Sequence, residues 1–306
     1  PEMPTTLTAY ISQQLSAAKA TQTANTIKRK NTVLRLLLAY EKETGNSTAF
    51  EQVNELFYSS LLTWLYDARN YSKSSAMKTI AIIRQMTGKA KKAGLHSNDR
   101  YSEFKTTRTK VSKTYLTFEE LEKLYALELT GTEEKARDLF LIGAYTGLRV
   151  SDYTRIQPHH ISTDADGDKQ LTILAQKVKR EVVIPLFPIA LAILEKWHFK
   201  APKISDQEIN REIKKLCRAA GITQKIRWVS TKGGEEIETE VEKWEKISNH
   251  TGRRSFATNF YLLLADATDV MAITDHTTEK QFFEYICATK EERAKRLKDA
   301  VKRKTL

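Results

Sequence analysis

Cysteine is almost missing: the chain has two, Cys217 and Cys287, in 306 residues. That excludes a disulfide framework and any zinc-ligand spacing, and it fits a reducing compartment. Nothing in it suggests thiol chemistry. Long apolar runs are missing as well. Stretches such as Leu36-Leu37-Leu38 and Leu262-Leu263-Leu264 fall far short of the roughly 20 residues that a membrane span needs, and the N-terminus has no signal-peptide pattern. The expected setting is therefore the cytoplasm, with no membrane partner. No internal repeat or low-complexity segment occurs. Beginning at PEMPTT, the chain reads as a cut fragment, which leaves room for a preceding segment.

What is present is a globular proportion of apolar residues, 41%, in a chain long enough for two domains. The charge balance is less ordinary: 50 Lys+Arg against 38 Asp+Glu leave +12, with a pI near 9.4. Such a balance is expected of a protein that meets polyanions, nucleic acid first, although a solvated lysine-rich surface gives the same value. The charge is uneven. Residues 1–110 hold 17 basic and 8 acidic residues, while the remaining 196 hold 33 and 30.

From Thr5 to about Leu95, apolar residues recur at three-to-four spacing in Tyr10-Ile11-Leu15, Val33-Leu34-Leu37-Leu38, Val53-Leu56-Phe57-Leu61-Leu62-Leu65 and Ile80-Ile83-Met86. The spacing predicts four helices, broken at GNS (45–47) and NYSKSS (70–75). On the fourth, Lys73, Lys78, Arg84, Lys89, Lys91 and Lys92 surround the apolar stripe. Together with Lys28, Arg29 and Lys30 they are candidates to neutralise phosphates along a groove, or simply solvated. The polar stretch between Ser97 and Tyr115 reads as a linker, giving a helical domain over 1–100, a linker over 101–115 and a second domain over 116–306. That second domain opens on a capping box, Thr117 with Glu120, and continues helical through Lys135–Tyr145. LTILAQ and EVVIPL then flank the polar turn KVKR as a hairpin, with DADGD as an earlier turn. A second hairpin surrounds the Gly-Gly of RWVSTKGGEEIETEV, and helix resumes from about Ser255. The fold class expected is mainly α with small β-hairpins (α+β).

Several short motifs carry charge in a telling order. In AYTGLRVSDYTRI, Asp152 follows Arg149 by three residues, which suits an ion pair on one helix face. Lys177 begins the hairpin turn, so its side chain would project from a mobile tip. In NHTGRRSFATNF, Arg253 projects within about 60° of His250 on a helix and Arg254 within about 40° of it, so one face carries the charge. Crowding like that is costly unless an anion lies against it. Further on, DVMAITDHTTEKQFFEYI brings His276 and, nine residues later, Tyr285 beside Phe282, Phe283 and Ile286. Each motif alone has an ordinary explanation.

As an ordered set, TGLRVSD, ILAQKVKREVVIPL, HTGRRSFATNFYL and DVMAITDHTTEKQFFEYI resemble the signature segments of the tyrosine recombinases, the phage-integrase family, nearest in wording to integrases of Bacteroidetes mobile elements. The resemblance runs over nearly the whole chain, because that family also places a helical core-binding domain before the catalytic one. It implies a site-specific recombinase that breaks and rejoins DNA, integrating or excising a mobile element without metal or other cofactor. Arg149 and Arg253 would bind the scissile phosphate through planar donors that keep their charge. His250 and His276 would add hydrogen bonds, Tyr285 would be the nucleophile, Lys177 the general acid, and Asp152 would orient Arg149. The partners implied are double-stranded DNA at attachment or inverted-repeat sites, a homo-tetramer on that DNA around a Holliday junction, and DNA-bending accessory proteins. An arm-binding domain ahead of this region is common in relatives.

Two departures stand out. Asp275 precedes His276 where the family commonly has glycine; if that position has φ > 0, Asp is one of the few tolerable replacements. Arg254 occupies a slot where relatives have His or Arg and competes with Arg253, which the His-x-x-Arg spacing favours. The tail over 291–306 has Ala294, Leu297 and Val301 at helical spacing, an amphipathic helix that docks on its own domain or, as the resemblance implies, on a neighbouring copy. Two other readings stay open: relaxation of supercoils as in type IB topoisomerases, against which the preceding helical domain speaks, and a DNA-binding relative without catalysis, against which the intact residue set speaks.

Overall fold

The computed structural model describes residues 3–17, 22–107, 111–263 and 266–304. Residues 108–110 of the expected linker, Leu264 of the second leucine run and the last two residues of the tail lie outside them. The chain divides into two compact units, one of residues 1–112 with 228–239, the other of 113–227 with 240–306. Among the described residues no helix is long and apolar enough to cross a membrane.

The first unit is built on α1 (Leu7–Ala17), α2 (Ala24–Thr44), α3 (Glu55–Asp67) and α4 (Lys73–Lys92). Polar side chains start them: Thr23, Asn54 and Ser72 each accept a bond from a first-turn N–H. Gly45, at φ 72°, ends α2 in the left-handed region. The four apolar stripes meet in one core that includes Ile11, Leu37, Tyr40, Leu61, Leu65, Ile80 and Ile83. Two leucines of the expected stripes are outside it, Leu38 at 50% exposure and Leu56 at 81%. The buried line on α2 runs through Lys30, Val33, Leu37 and Tyr40, one step away from Leu38, and α3 turns Phe57, Leu61 and Leu65 inward instead of Leu56.

The second unit centres on α6 (Gly131–Thr146), whose residues from Ala136 to Thr146 are all buried. Before it lies α5 (Phe118–Tyr125), opened by the Thr117–Glu120 capping box, and after it the four-residue α7 (Val150–Tyr153). An antiparallel sheet comes next in the order β1 (Ile161–Thr163), β2 (Lys169–Ala175), β3 (Arg180–Pro185), with Leu171 opposite both Ile161 and Ile184. The hairpin pattern anticipates β2 and β3; β1, too short to show alternation, is an addition. Two helices occupy a stretch in which the sequence pattern predicts no element: α8 (Pro188–Lys196) and α9 (Asp206–Ala219), the latter opened by a Ser205–Glu208 capping box. Then come the hairpin β4 (Lys225–Lys232) and β5 (Glu235–Glu242), and the helices α10 (Asn249–Leu263), α11 (Ala267–Thr274), α12 (Glu279–Tyr285) and α13 (Lys290–Lys304). Helix α10 thus begins at Asn249, ahead of the expected Ser255.

Helices α6 and α10 pack closely, since a Cβ on Gly252 would lie 3.2 Å from the Phe140 carbonyl oxygen. A smaller cluster of Phe256, Phe260, Tyr261, Val270, Phe282 and Ile286 fixes α11 and α12 on α10. Helix α13 lies on its own chain: the Tyr115 hydroxyl donates to Glu292, and Arg296 stacks 4.2 Å from the centroid of the Tyr261 ring. Leu297 and Val301 remain exposed.

The outer part of the β4–β5 hairpin, 228–239, clusters with the first unit although it lies within the 116–306 region. The turn explains this. Gly233 and Gly234 both have φ > 0, and a Cβ on Gly234 would fall 2.9 Å from the Tyr66 ring, so the glycines let the tip lie against α3. The Lys73 N–H donates to Thr231 Oγ1 at 3.0 Å beside it.

Gly147 sits in a crowded turn of the second unit. It ends α6 at φ 68°, and a Cβ there would stand 2.6 Å from the Phe256 ring. Gly147→Ala is expected to lower unfolding free energy by about 2 kcal/mol or more, from left-handed strain plus overpacking. Chemical denaturation of the two proteins measures the difference.

Candidate active site

Arg253 is the best-fixed member of the site. It lies on α10, its residue only 4% exposed, with Nη1 donating to the Gly147 carbonyl at 2.7 Å and Nη2 donating to the Thr274 carbonyl. Those carbonyls belong to the C-terminal ends of α6 and α11, where the helix dipole is negative and favours a cation. Desolvation, followed by the Arg149 charge, brings the guanidinium down to about 10, while Tyr285, Asp275 and Asp152 oppose the shift. Arg254, its neighbour, makes neither carbonyl bond; its Nε is buried without a hydrogen-bond partner.

Arg149 precedes α7 as its N-cap, and its side chain is 23% exposed. With Arg253 and His250 it lines one cavity of about 380 Å³, so both arginines border the same space. The carboxylate beside Arg149 is Asp275, at 3.9 Å, and not Asp152 as the sequence spacing suggests. The cause is local. Arg149 has extended backbone angles, φ −76° and ψ 154°, so the helical i,i+3 relation does not begin until Val150. Asp152 accordingly pairs with Arg155, three residues on, at 3.1 Å, and accepts from the Gln176 N–H at 2.9 Å. Asp275 itself caps α11 at φ 52°, the left-handed conformation that its departure from glycine raised as a condition.

The Tyr285 ring stands between two imidazoles, its centroid 5.2 Å from that of His250 at 86° and 5.0 Å from that of His276 at 53°. Its hydroxyl is buried with no hydrogen-bond partner, a costly state for a polar group. Burial pushes the phenol up to about 12 although Arg253, Arg254 and Arg149 pull it down. His276 Nδ1 lies 2.8 Å from Thr274 Oγ1, whose one proton goes to the Val270 carbonyl. The imidazole therefore donates from Nδ1 and keeps Nε2 as an acceptor. Desolvation and then the Arg253 and Arg149 charges lower its pKa to about 4. His250 is also lowered to about 4, by desolvation and then by Arg254, Arg253, Arg149 and Lys177. Because the His250 residue is exposed to solvent, the four cations are the part of that shift the geometry supports best. Lys177 is exposed in the turn between β2 and β3, within electrostatic reach of His250.

Arg149, His250, Arg253, His276 and Tyr285 are thus brought together, with Lys177 at the rim. The carbonyl of Gly147, the expected end of the element before Arg149, joins them, as do Thr274 and Arg180, which were not singled out; only the chain's return in space assembles carbonyls and cations of this kind. Of the basic candidates in the first unit, Lys28, Arg29, Lys73, Lys78 and Arg84 are exposed, and Arg29 and Lys78 line one depression of about 800 Å³. Lys30 is corrected: it is 4% exposed and donates to Gln22 Oε1 at 2.8 Å, so it is not free to meet a phosphate.

Comparison with known proteins adds an independent line. The phage integrase SAM-like domain model matches residues 6–108, and the phage integrase family model matches residues 114–292. No curated protein matches the sequence. Among solved structures, a lambda integrase dimer bound to a COC′ core site has a TM-score of 0.67 at 15% identity, over 92% of this chain and 95% of that one. The XerH site-specific recombinase bound to palindromic difH substrate has a TM-score of 0.62 at 13% identity, over 96% and 93%. The Tn1549 transposon integrase in complex with a circular intermediate DNA has 0.64 at 11%, over 97% and 100%. At such identities the likeness concerns the fold.

Two neutral histidines under depressed pKa values set a pH dependence. Between their unfolded value of 6.5 and about 4 the unfolded chain binds protons that the folded site refuses. Stability is therefore complete above pH 6.5 and falls as pH is lowered toward 4. NMR titration of the free protein should place the ring resonances of His250 and His276 at midpoints near 4; midpoints at or above the ordinary value would contradict the crowded-cation arrangement.

Proposed function

The chain belongs to the phage integrase family, and from that premise we propose that it is a tyrosine-type site-specific DNA recombinase that integrates or excises a mobile element. One observation carries the reading: a tyrosine whose buried hydroxyl has no partner stands between two neutral imidazoles, next to a guanidinium fixed by helix-end carbonyls.

In this reading the scissile phosphate settles on Arg149 and Arg253, whose charges offset the negative charge that grows on phosphorus-bound oxygens in the transition state. The Tyr285 oxygen attacks phosphorus while its proton passes to the flanking imidazoles, for which His276 Nε2 is an open acceptor. The bond from phosphorus to the 5′ oxygen breaks, and the Lys177 ammonium gives that oxygen a proton. The 3′-phosphotyrosine retains the ester energy, so the same steps reversed on a second strand rejoin the DNA. Exposed cations of the first unit supply contacts to the duplex backbone, and a tetramer on two duplexes organises the exchange, with the exposed Leu297 and Val301 of α13 suited to a neighbouring copy. We place this work at the nucleoid in the cytoplasm, with DNA-bending proteins as accessory partners.

A nicked suicide substrate that loses its 5′-hydroxyl fragment traps the intermediate. Wild type is expected to become covalently attached to DNA, Tyr285→Phe to show no attachment at unchanged stability, and Arg253→Ala to attach at least about 100-fold more slowly. Attachment by Tyr285→Phe would remove that residue from the nucleophile's role.

A further inference from the structure

The turn that carries Lys177 is held at both ends by carboxylates. At its start the Gln176 N–H donates to Asp152 Oδ1 at 2.9 Å. At its close Arg180, which pairs with Ala175 across the hairpin, directs Nη1 to Asp275 Oδ1 at 3.9 Å. The other Asp275 oxygen lies 3.9 Å from Arg149. The Asp275 side chain is only 6% exposed, and its Oδ2 has no hydrogen-bond partner. At these separations the carboxylate attracts both guanidiniums and is saturated by neither, so it links Arg149 of the cavity to the β2–β3 hairpin.

We propose that Asp275 is a positioning residue that, through Arg180, holds the β2–β3 turn so that Lys177 meets the departing 5′ oxygen. This rests on the recombinase reading. The step it serves is breakage of the phosphorus–O5′ bond with transfer of one proton from the Lys177 ammonium to that oxygen, as the Tyr285 oxygen takes its place on phosphorus. With its groups 3.9 Å apart and the Arg180 side chain 68% exposed, the pair would contribute little to stability; its effect is on the geometry of one proton donor. Glycine at 275 would supply the backbone angle without the link.

The test compares single-turnover cleavage of two nicked substrates, one with the ordinary phosphodiester and one with a 5′-bridging sulfur, whose thiolate leaves without a proton. Asp275→Asn tolerates the left-handed conformation and removes the charge; Arg180→Gln removes the other end of the link. Each is expected to slow cleavage of the ordinary substrate by about 10-fold, a fraction of what a general acid supplies. The double variant should be no slower than either, because both act through one contact. All three are expected to match wild type on the sulfur substrate, and Lys177→Ala, as the control, is expected to regain on it the rate it loses on ordinary DNA. Variants that cleave ordinary DNA at the wild-type rate, or that are slowed equally on both substrates, overturn the proposal while leaving the recombinase reading intact. Failure of wild type to attach to either substrate overturns that reading and this one with it.

Discussion

Two backbone carbonyls gripping one buried guanidinium, Gly147 and Thr274 on Arg253, fix the geometry on which the site depends. Burying a cation is costly unless its donors are met, and here the acceptors come from the C-terminal ends of two different helices. Both ends are made by left-handed residues. Gly147 closes α6 where no side chain would fit against Phe256, and Asp275 closes α11 with a carboxylate in place of a hydrogen. Two bonds leave a guanidinium with five N–H donors unsaturated, and Arg253 lines the cavity shared with Arg149 and His250.

Electrostatics extends this constraint to the rest of the site. Desolvation keeps both histidines neutral, aided at His250 by Arg254, Arg253, Arg149 and Lys177 and at His276 by Arg253 and Arg149, whose effect Asp275 partly offsets. Such a cluster is incomplete without an anion. In the proposed function a phosphodiester is that anion: it would relieve the repulsion among the cations and meet the Tyr285 hydroxyl, which has no hydrogen-bond partner. Sequence, helix ends, charge and chemistry therefore point in one direction.

Much of this was legible in residues alone, and the exceptions are instructive. Three-to-four spacing placed the four helices of the first unit, and the Thr117–Glu120 box marked the start of α5. The order Arg149, Lys177, His250, Arg253, His276, Tyr285 pointed to residues that the fold brings into one place or, for Lys177, to its rim. The pairing of Asp152 with Arg149 did not hold, because spacing along a helix says nothing about a residue just outside it. Lys30 was a legible error: it continues the buried line of Val33, Leu37 and Tyr40 at helical intervals, a signal that outweighs its charge. Other features had no local signal. The carbonyls around Arg253, the Asp275–Arg180 approach and the clustering of 228–239 with the first unit arise only when distant segments fold together.

The central claim is that Arg253, locked in place before any ligand arrives, is the arginine that receives the phosphate. A crystal structure of the protein with DNA and orthovanadate at the cleavage site tests it most directly. The account predicts vanadium bonded to the Tyr285 oxygen, with vanadate oxygens on Arg149 and Arg253 and the bonds from Arg253 to Gly147 and Thr274 unchanged. Vanadate held by Arg254 instead, or Arg253 torn from both carbonyls to reach it, would contradict the account.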